Sequence, residues 1–205
     1  FVTVEKAPIQ SVNVYAKDKN NQKILTIAYG ATGEVTLVSS CKLSETSGKN
    51  LSCAWYKLTD DTAIPPLEGA TGTSYTLPAD LPAGTHTYRV TFTSDYYSKS
   101  AEITITVTKI DLANAEVTID TWPADGKFSF YPYAPETVAF SSFFKKVKVT
   151  ANGKEDTLSD SDFTYTGAAA TQVGNYKLTI TATNSCANYT GSKTFDWEVI
   201  PYQLY

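Results

Sequence analysis

The stretch "NYTGSKTFDWEV", residues 188–199, decides the fold because the chain contains a second version of it. About 92 positions earlier, residues 96–107 read "YYSKSAEITITV", which aligns Tyr97 with Tyr189 and Val107 with Val199. This period is well above the roughly 20–50 residues of solenoid repeats. The repeat therefore predicts two consecutive domains of similar fold.

Both copies of the repeat alternate polar and apolar side chains, over residues 102–107 and again over residues 194–199. This period of two is typical of a β-strand with one buried face and one wet face. A second alternating segment precedes each copy, beginning at Gly84 and at Gly174. Each domain is therefore predicted to end in two antiparallel strands joined by a turn.

The start of the chain predicts the domain boundaries, because "TVEKAPIQSVNV" (3–14) resembles "TVTKIDLANAEV" (106–117). We expect residues 1–8 to be a linker or the tail of a preceding domain, residues 9–109 to form the first domain and residues 110–205 the second. The sequence contains no Met, even at position 1. We therefore expect an internal piece of a longer chain that carries neighbouring domains.

Composition supports an all-β class and argues against several partners. The 205 residues include 14 Tyr and 9 Phe, which suit a pleated, half-buried surface. The net charge is -4, and no run of Lys or Arg is longer than Lys145–Lys146, which argues against nucleic acid or an anionic membrane as a partner. The sequence also lacks the roughly 18–20 consecutive apolar residues that insertion into a membrane requires.

The central part of the first domain resembles an immunoglobulin-like domain. The stretches "YGATGEVTLVSSC" (29–41), "CAWYKL" (53–58), "SYTLP" (74–78) and "LPAGTHTYRV" (81–90) are similar to the approach to strand B, strand C with its core tryptophan, strand E and the start of strand F. The resemblance implies two antiparallel sheets packed as a sandwich. Strand F has Tyr88 in place of the second cysteine, so the inter-sheet disulfide of antibody domains is not expected.

The second domain resembles a different group of immunoglobulin-like domains. Residues 162–183, followed by residues 188–199, are similar to the closing half of bacterial (Big-type) repeats, in which a "VGNY"-type start and an "NYTG" turn recur. Those repeats belong to cell-surface and secreted proteins. The resemblance implies a stalk, adhesin or accessory segment outside the cell, and it implies no particular ligand.

Three cysteines are an odd number for a chain expected outside the cell. Cys41 and Cys53 flank the polar segment "KLSETSGKNLS", and we predict a disulfide between them, because cysteines close in the chain are commonly bonded in oxidising compartments. The alternative is two buried thiols. Cys186 has no partner left, and is either a semi-buried small residue or a thiol that is modified or bonded to another molecule.

Catalytic and metal-binding patterns are lacking in the sequence. The single histidine, His86, is predicted to cap a sandwich corner, and no nucleophile, zinc or phosphate-loop motif occurs. The carboxylates of "KEDTLSDSDF" (154–163) are expected to be solvated, because they lack the order of residues found in calcium loops. We therefore predict no catalytic residue, no metal and no cofactor, and a protein that is not an enzyme.

One aromatic stretch is a candidate for recognition. The segment "TWPADGKFSFYPYAP" (121–135) places Tyr131 and Tyr133 around a proline near a strand end, where planar side chains can stack on sugars. Phe128 and Phe130 are predicted to share a face and enter the core. The alternative is that all these aromatics fill the core or its rim.

Together these observations predict two tandem immunoglobulin-like antiparallel β-sandwich domains. The predicted function is a non-enzymatic extracellular segment of a bacterial surface protein, acting as a stalk, a spacer or an adhesion module. One alternative is a carbohydrate-binding accessory module of a secreted enzyme, with polysaccharide as its partner. Another is an adhesin domain that binds a host or cell-surface protein.

Overall fold

The structure is a computed structural model that describes residues 9–43, 51–59, 65–95, 97–130, 138–139 and 146–201. The chain divides into two compact units, Phe1–Thr108 and Lys109–Tyr205. Residues 1–8, for which a linker is predicted, lie outside the described residues. Strands dominate both units, so the predicted all-β class is confirmed. No helix in the described ranges is long and apolar enough to cross a membrane.

The first unit contains seven strands among its described residues, arranged in two sheets. One sheet has the order β1-β3-β5 and the other the order β2-β7-β6-β4. All neighbours pair antiparallel except β2 and β7, which run parallel. The strands are β1 (Ile9–Lys17), β2 (Thr26–Ala28), β3 (Thr36–Leu43), β4 (Ser52–Leu58), β5 (Ser74–Thr76), β6 (Gly84–Thr93) and β7 (Ser98–Thr108), and a 3-10 turn spans Thr32–Glu34.

Alternation along the strands builds the core of the first unit. In β7 the side chains of Ile103, Ile105 and Val107 are buried, and the polar residues between them are exposed. Trp55, at the centre of β4, is fully buried. The strands β1, β3 and β5 take the places of strands A, B and E of an immunoglobulin domain, and β4, β6 and β7 take those of C, F and G. The predicted immunoglobulin-like sandwich is thus confirmed.

The second unit repeats the arrangement of two sheets. One sheet has the order β9-β12-β13 and the other the order β10-β18-β16-β14, with β10 parallel to β18. Two short pairs, β8 with β17 and β11 with β15, complete it. The strands are β8 (Ile110–Asp111), β9 (Glu116–Ile119), β10 (Lys127–Phe130), β11 (Val138–Ala139), β12 (Val147–Ala151), β13 (Lys154–Leu158), β14 (Phe163–Thr166), β15 (Ala169–Ala170), β16 (Gly174–Ala182), β17 (Tyr189–Thr190) and β18 (Ser192–Pro201), and a 3-10 turn spans Leu112–Asn114.

The two units fill the same strand positions in a different chain order. In the first unit the chain leaves β3, crosses to the other sheet as β4 and returns as β5. In the second unit it leaves β12, stays in the same sheet as β13 and then crosses once to β14. A two-residue turn at Asn152–Gly153, with φ of 50° and 78°, accounts for this difference, because such a turn keeps β12 and β13 adjacent in one sheet.

Candidate functional site

The predicted disulfide between Cys41 and Cys53 does not form in the structure, and both residues are free thiols. The Cys53 thiol donates to the carbonyl oxygen of Gly72 over 3.3 Å and also hydrogen-bonds Ser39. Ser39 lies two residues before Cys41 on the inward face of β3. Alternate residues of a strand are roughly 6.6 Å apart. Cys53 therefore lies opposite Ser39 and not opposite Cys41, which is too far along β3 for a disulfide.

The environment of Cys53 favours the neutral thiol. Burial raises its pKa, and the hydrogen bond with Ser39 opposes that effect only in part. Burial also raises the pKa of Cys41. Because thiolates are the reactive form of cysteine, neither residue is placed to act as a nucleophile.

Cys186 is also buried, with 1% of its surface exposed. Its carbonyl oxygen accepts a hydrogen bond of 2.6 Å from Lys109 Nζ, which fixes the loop before β17 to the start of the second unit. This placement fits the expectation of a small packed residue. It argues against a bond to another molecule, which requires an accessible sulfur.

Three aromatic rings form the centre of the first unit. Tyr75 lies 6.3 Å from Trp55 and 5.9 Å from Tyr88, measured between ring centroids. The indole nitrogen of Trp55 donates to the Gly72 carbonyl over 2.9 Å. The Tyr88 hydroxyl, in contrast, is buried and has no hydrogen-bond partner among the described residues. Burial, followed by the neighbouring Tyr75, raises the pKa of Tyr88 to about 12.

We expect Tyr88→Phe to stabilise the first unit by about 1 kcal/mol at pH 7, because it removes an unpaired buried hydroxyl and keeps the ring. Folded Tyr88 keeps its proton above pH 10, where the unfolded chain releases it. The stability that this proton provides is complete below pH 10 and is lost as the pH rises towards 12. Denaturant unfolding between pH 7 and 11.5 measures the free energy of unfolding. This free energy should fall with pH in the parent and fall less in Tyr88→Phe. If Tyr88→Phe is less stable than the parent at pH 7, the Tyr88 hydroxyl has a hydrogen-bond partner, contrary to this prediction.

The remaining catalytic and metal candidates are held by structural contacts. His86 is half-buried, and its Nε2 lies 2.8 Å from the carbonyl oxygen of Pro82, at the turn before β6. Asp156 accepts from the Tyr189 hydroxyl over 2.7 Å, whereas Asp162 accepts from Ser159. Within the described ranges, no three His, Cys, Asp or Glu side chains converge in a way that could hold a metal ion.

The described part of the aromatic stretch contributes to packing in the second unit. Phe128 meets Trp122 and Trp197 edge to face, at centroid distances of 5.6 and 5.5 Å. Tyr176 also packs on Trp197, with 4.9 Å between the ring centroids. The candidate ligand contacts Tyr131 and Tyr133 lie outside the described residues, and their role stays a prediction.

A cleft of about 810 Å³ lies beside this aromatic cluster, between the turn before β10 and the paired strands β16 and β18. Its volume falls within the range of small-molecule sites. Sequence reasoning missed it because its polar residues follow ordinary strand alternation and form no motif. It is lined by Asp125, Gly126, Asn175, Tyr176, Lys177, Asp196, Trp197 and Glu198.

The strand order defines the chain as a tandem pair of immunoglobulin-like β-sandwich domains. No protein-family model matches the sequence, and no curated protein matches it either. The structure is similar to the N-terminal four immunoglobulin domains of Dscam1 isoform 1.9, with 13% identity and a TM-score of 0.34 over 92% of this chain. The matched region is 46% of the length of the Dscam1 chain.

Two further solved structures show the same level of similarity. A chimeric titin Z1Z2 carrying an exogenous peptide from decorin has 14% identity and a TM-score of 0.30, over 96% of this chain and 99% of its own. Dscam1 isoform 4.44 has 10% identity and a TM-score of 0.27, over 93% and 66%. Similarities this low carry no argument about function.

Proposed function

We propose that this chain is a non-enzymatic extracellular segment of a bacterial surface protein, in which tandem sandwich domains act as a stalk, a spacer or an adhesion module. The resemblance of residues 162–183 and 188–199 to bacterial immunoglobulin-like repeats supports the proposal. His86 and Asp156 form hydrogen bonds within the fold, to the Pro82 carbonyl oxygen and the Tyr189 hydroxyl, which supports a non-catalytic role. Location is tested by antibody labelling of intact cells, and labelling only after permeabilisation would refute it.

The observation that best supports a mechanical role is the pairing of the last strand of each unit. In each unit an early strand runs parallel to the last one: β2 with β7 through three residue pairs, and β10 with β18 through four. Tension on the two ends of a unit pulls such strands in opposite directions along their length. The evenly spaced hydrogen bonds of a parallel pair are then loaded together and not one by one.

We therefore expect Ile27→Pro to lower the unfolding force of the first unit, because Ile27 is paired with Val107 and proline cannot donate to the ladder. The lost bond should also cost on the order of 1–3 kcal/mol of stability. The matched control is Thr26→Pro, since β2 is an edge strand and alternate residues direct their N–H groups away from β7. Single-molecule pulling of the full chain measures both forces.

The parent should show two unfolding events, only one of which is weakened by Ile27→Pro. Equal weakening by Ile27→Pro and Thr26→Pro, or an unfolding force that neither variant changes, would contradict the mechanical role of the parallel pair. Either outcome would leave the assignment of an immunoglobulin-like fold unchanged.

The cleft of the second unit favours a second candidate function, a carbohydrate-binding accessory module of a secreted enzyme. Its lining combines carboxylates, an amide and an ammonium group on the outer face of β16 and β18. Converging hydrogen-bonding groups of this kind fix the orientation of a small polar ligand in a protein cleft. Binding of any polysaccharide by the full chain tests this candidate.

A further inference from the structure

The polar lining of the second-unit cleft is set by the register of β16 with β18. Asn175 is paired with Glu198, and Lys177 is paired with Asp196. Residues directly opposite each other in neighbouring strands have Cβ atoms about 4.5–5.5 Å apart. The register therefore places two adjacent pairs of polar side chains on the outer face of the sheet, where Asp125 and Gly126 border them.

The charges of this lining are mostly neutralised within the protein. Lys177 Nζ lies 2.6 Å from Asp196 Oδ1, and Lys127 Nζ lies 3.3 Å from Glu198 Oε2. Asp125 is the remaining carboxylate, and one of its oxygens accepts from the backbone of Lys127. The cleft thus needs no counter-ion, and its small excess of negative charge disfavours phosphate, sulfate and carboxylate ligands.

Tyr176 lies between Asn175 and Lys177 in β16, so its side chain is directed to the opposite, inner face of the sheet. Its ring is half-buried, packs 4.9 Å from Trp197 and is held by a hydrogen bond of 2.8 Å from its hydroxyl to the carbonyl oxygen of Gln172. This packing fixes the segment of β16 that carries Asn175 and Lys177, so the backbone beneath the cleft does not have to be ordered when a ligand binds.

We propose that this cleft binds a neutral sugar residue of a polysaccharide, an inference that rests on the carbohydrate-binding candidate above. Each sugar hydroxyl both donates and accepts a hydrogen bond. The carboxylates of Asp196 and Glu198 accept from such hydroxyls, and the amide of Asn175 and the ammonium group of Lys177 donate to them. Neighbouring hydroxyls of one ring match the alternation of acceptors and donors that the two cross-strand pairs present.

The test is isothermal titration calorimetry of the full chain with soluble neutral polysaccharides (an α-glucan, a β-glucan, a xylan and a mannan) and with a sulfated polysaccharide. We expect one of the neutral polymers to bind and the sulfated polymer not to bind. Asn175→Ala and Asp196→Ala should each raise the dissociation constant at least about tenfold, because each removes groups that bind the hydroxyls.

The matched control is Glu102→Ala in the first unit, which removes the partner of Arg89 from the equivalent outer face. It should leave binding unchanged. Asn175 and Asp196 are exposed, so their variants should keep the parent melting temperature. If both variants still bind the neutral polymer, the cleft is not the binding site, although the chain remains a carbohydrate-binding module. Absence of binding to every neutral polymer would refute both the cleft and the carbohydrate-binding candidate.

Discussion

Trp55→Ala should unfold the first unit at temperatures where the second remains folded. The Trp55 side chain is fully buried in β4, it stacks near Tyr75, and its indole nitrogen bonds the Gly72 carbonyl. Removing a buried tryptophan ring costs about 3–5 kcal/mol, out of the 5–15 kcal/mol that stabilise a typical domain. In a unit of this size, such a loss lowers the melting temperature by at least roughly 12 °C.

The matched control for this variant is Tyr56→Ala. Tyr56 is the next residue of β4, and its side chain is directed to the opposite, half-exposed face. Its replacement should cost less than about 1.5 kcal/mol, because little buried area is lost. Calorimetry or thermal circular dichroism of both variants measures the difference. Equal losses in Trp55→Ala and Tyr56→Ala would show that Trp55 does not form the centre of this core.

Gly167→Ala should have the second large effect, a loss of about 3 kcal/mol or more in the second unit. Gly167 has a φ of +70°, which side chains rarely adopt, and the carbonyl oxygen of Lys177 occupies the place that a Cβ would need. Its own carbonyl accepts from the indole nitrogen of Trp197 over 3.2 Å. Alanine therefore combines backbone strain of about 1–2 kcal/mol with a displacement that breaks this hydrogen bond.

Gly153→Ala separates these two causes. Gly153 also has a positive φ, +78°, but no atom lies within 4 Å of the position that its Cβ would take. This control should show the backbone strain alone, about 1–2 kcal/mol. Denaturant unfolding of the two variants measures both losses. A loss in Gly167→Ala no larger than in Gly153→Ala would contradict the close approach of Gly167 to β16.

The closing strands of each unit could be predicted from sequence because local alternation determines them. Residues 102–107 and 194–199 repeat because β7 and β18 occupy the same place in their units. The hairpin at Asn152–Gly153 was predictable for a similar reason, since two neighbouring residues that tolerate positive φ specify the turn. Each of these signals depends on residues close together in the chain.

The features that sequence reasoning missed depend on residues far apart in the chain. Alternation shows that Cys41 and Cys53 face inward, but not that Ser39 opposes Cys53, and so it led to the wrong disulfide. Nothing in the sequence around Gly167 shows that its backbone lies against that of Lys177. The cleft of the second unit was missed likewise, because the register between β16 and β18 assembles it.

The most direct test of the account is differential scanning calorimetry of the full chain beside Trp55→Ala and Gly167→Ala. Each unit buries its own set of strand residues, so we expect two thermal transitions. Trp55→Ala should lower only one of them, and Gly167→Ala only the other. A single cooperative transition that both variants shift by the same amount would contradict two separately cored sandwich domains.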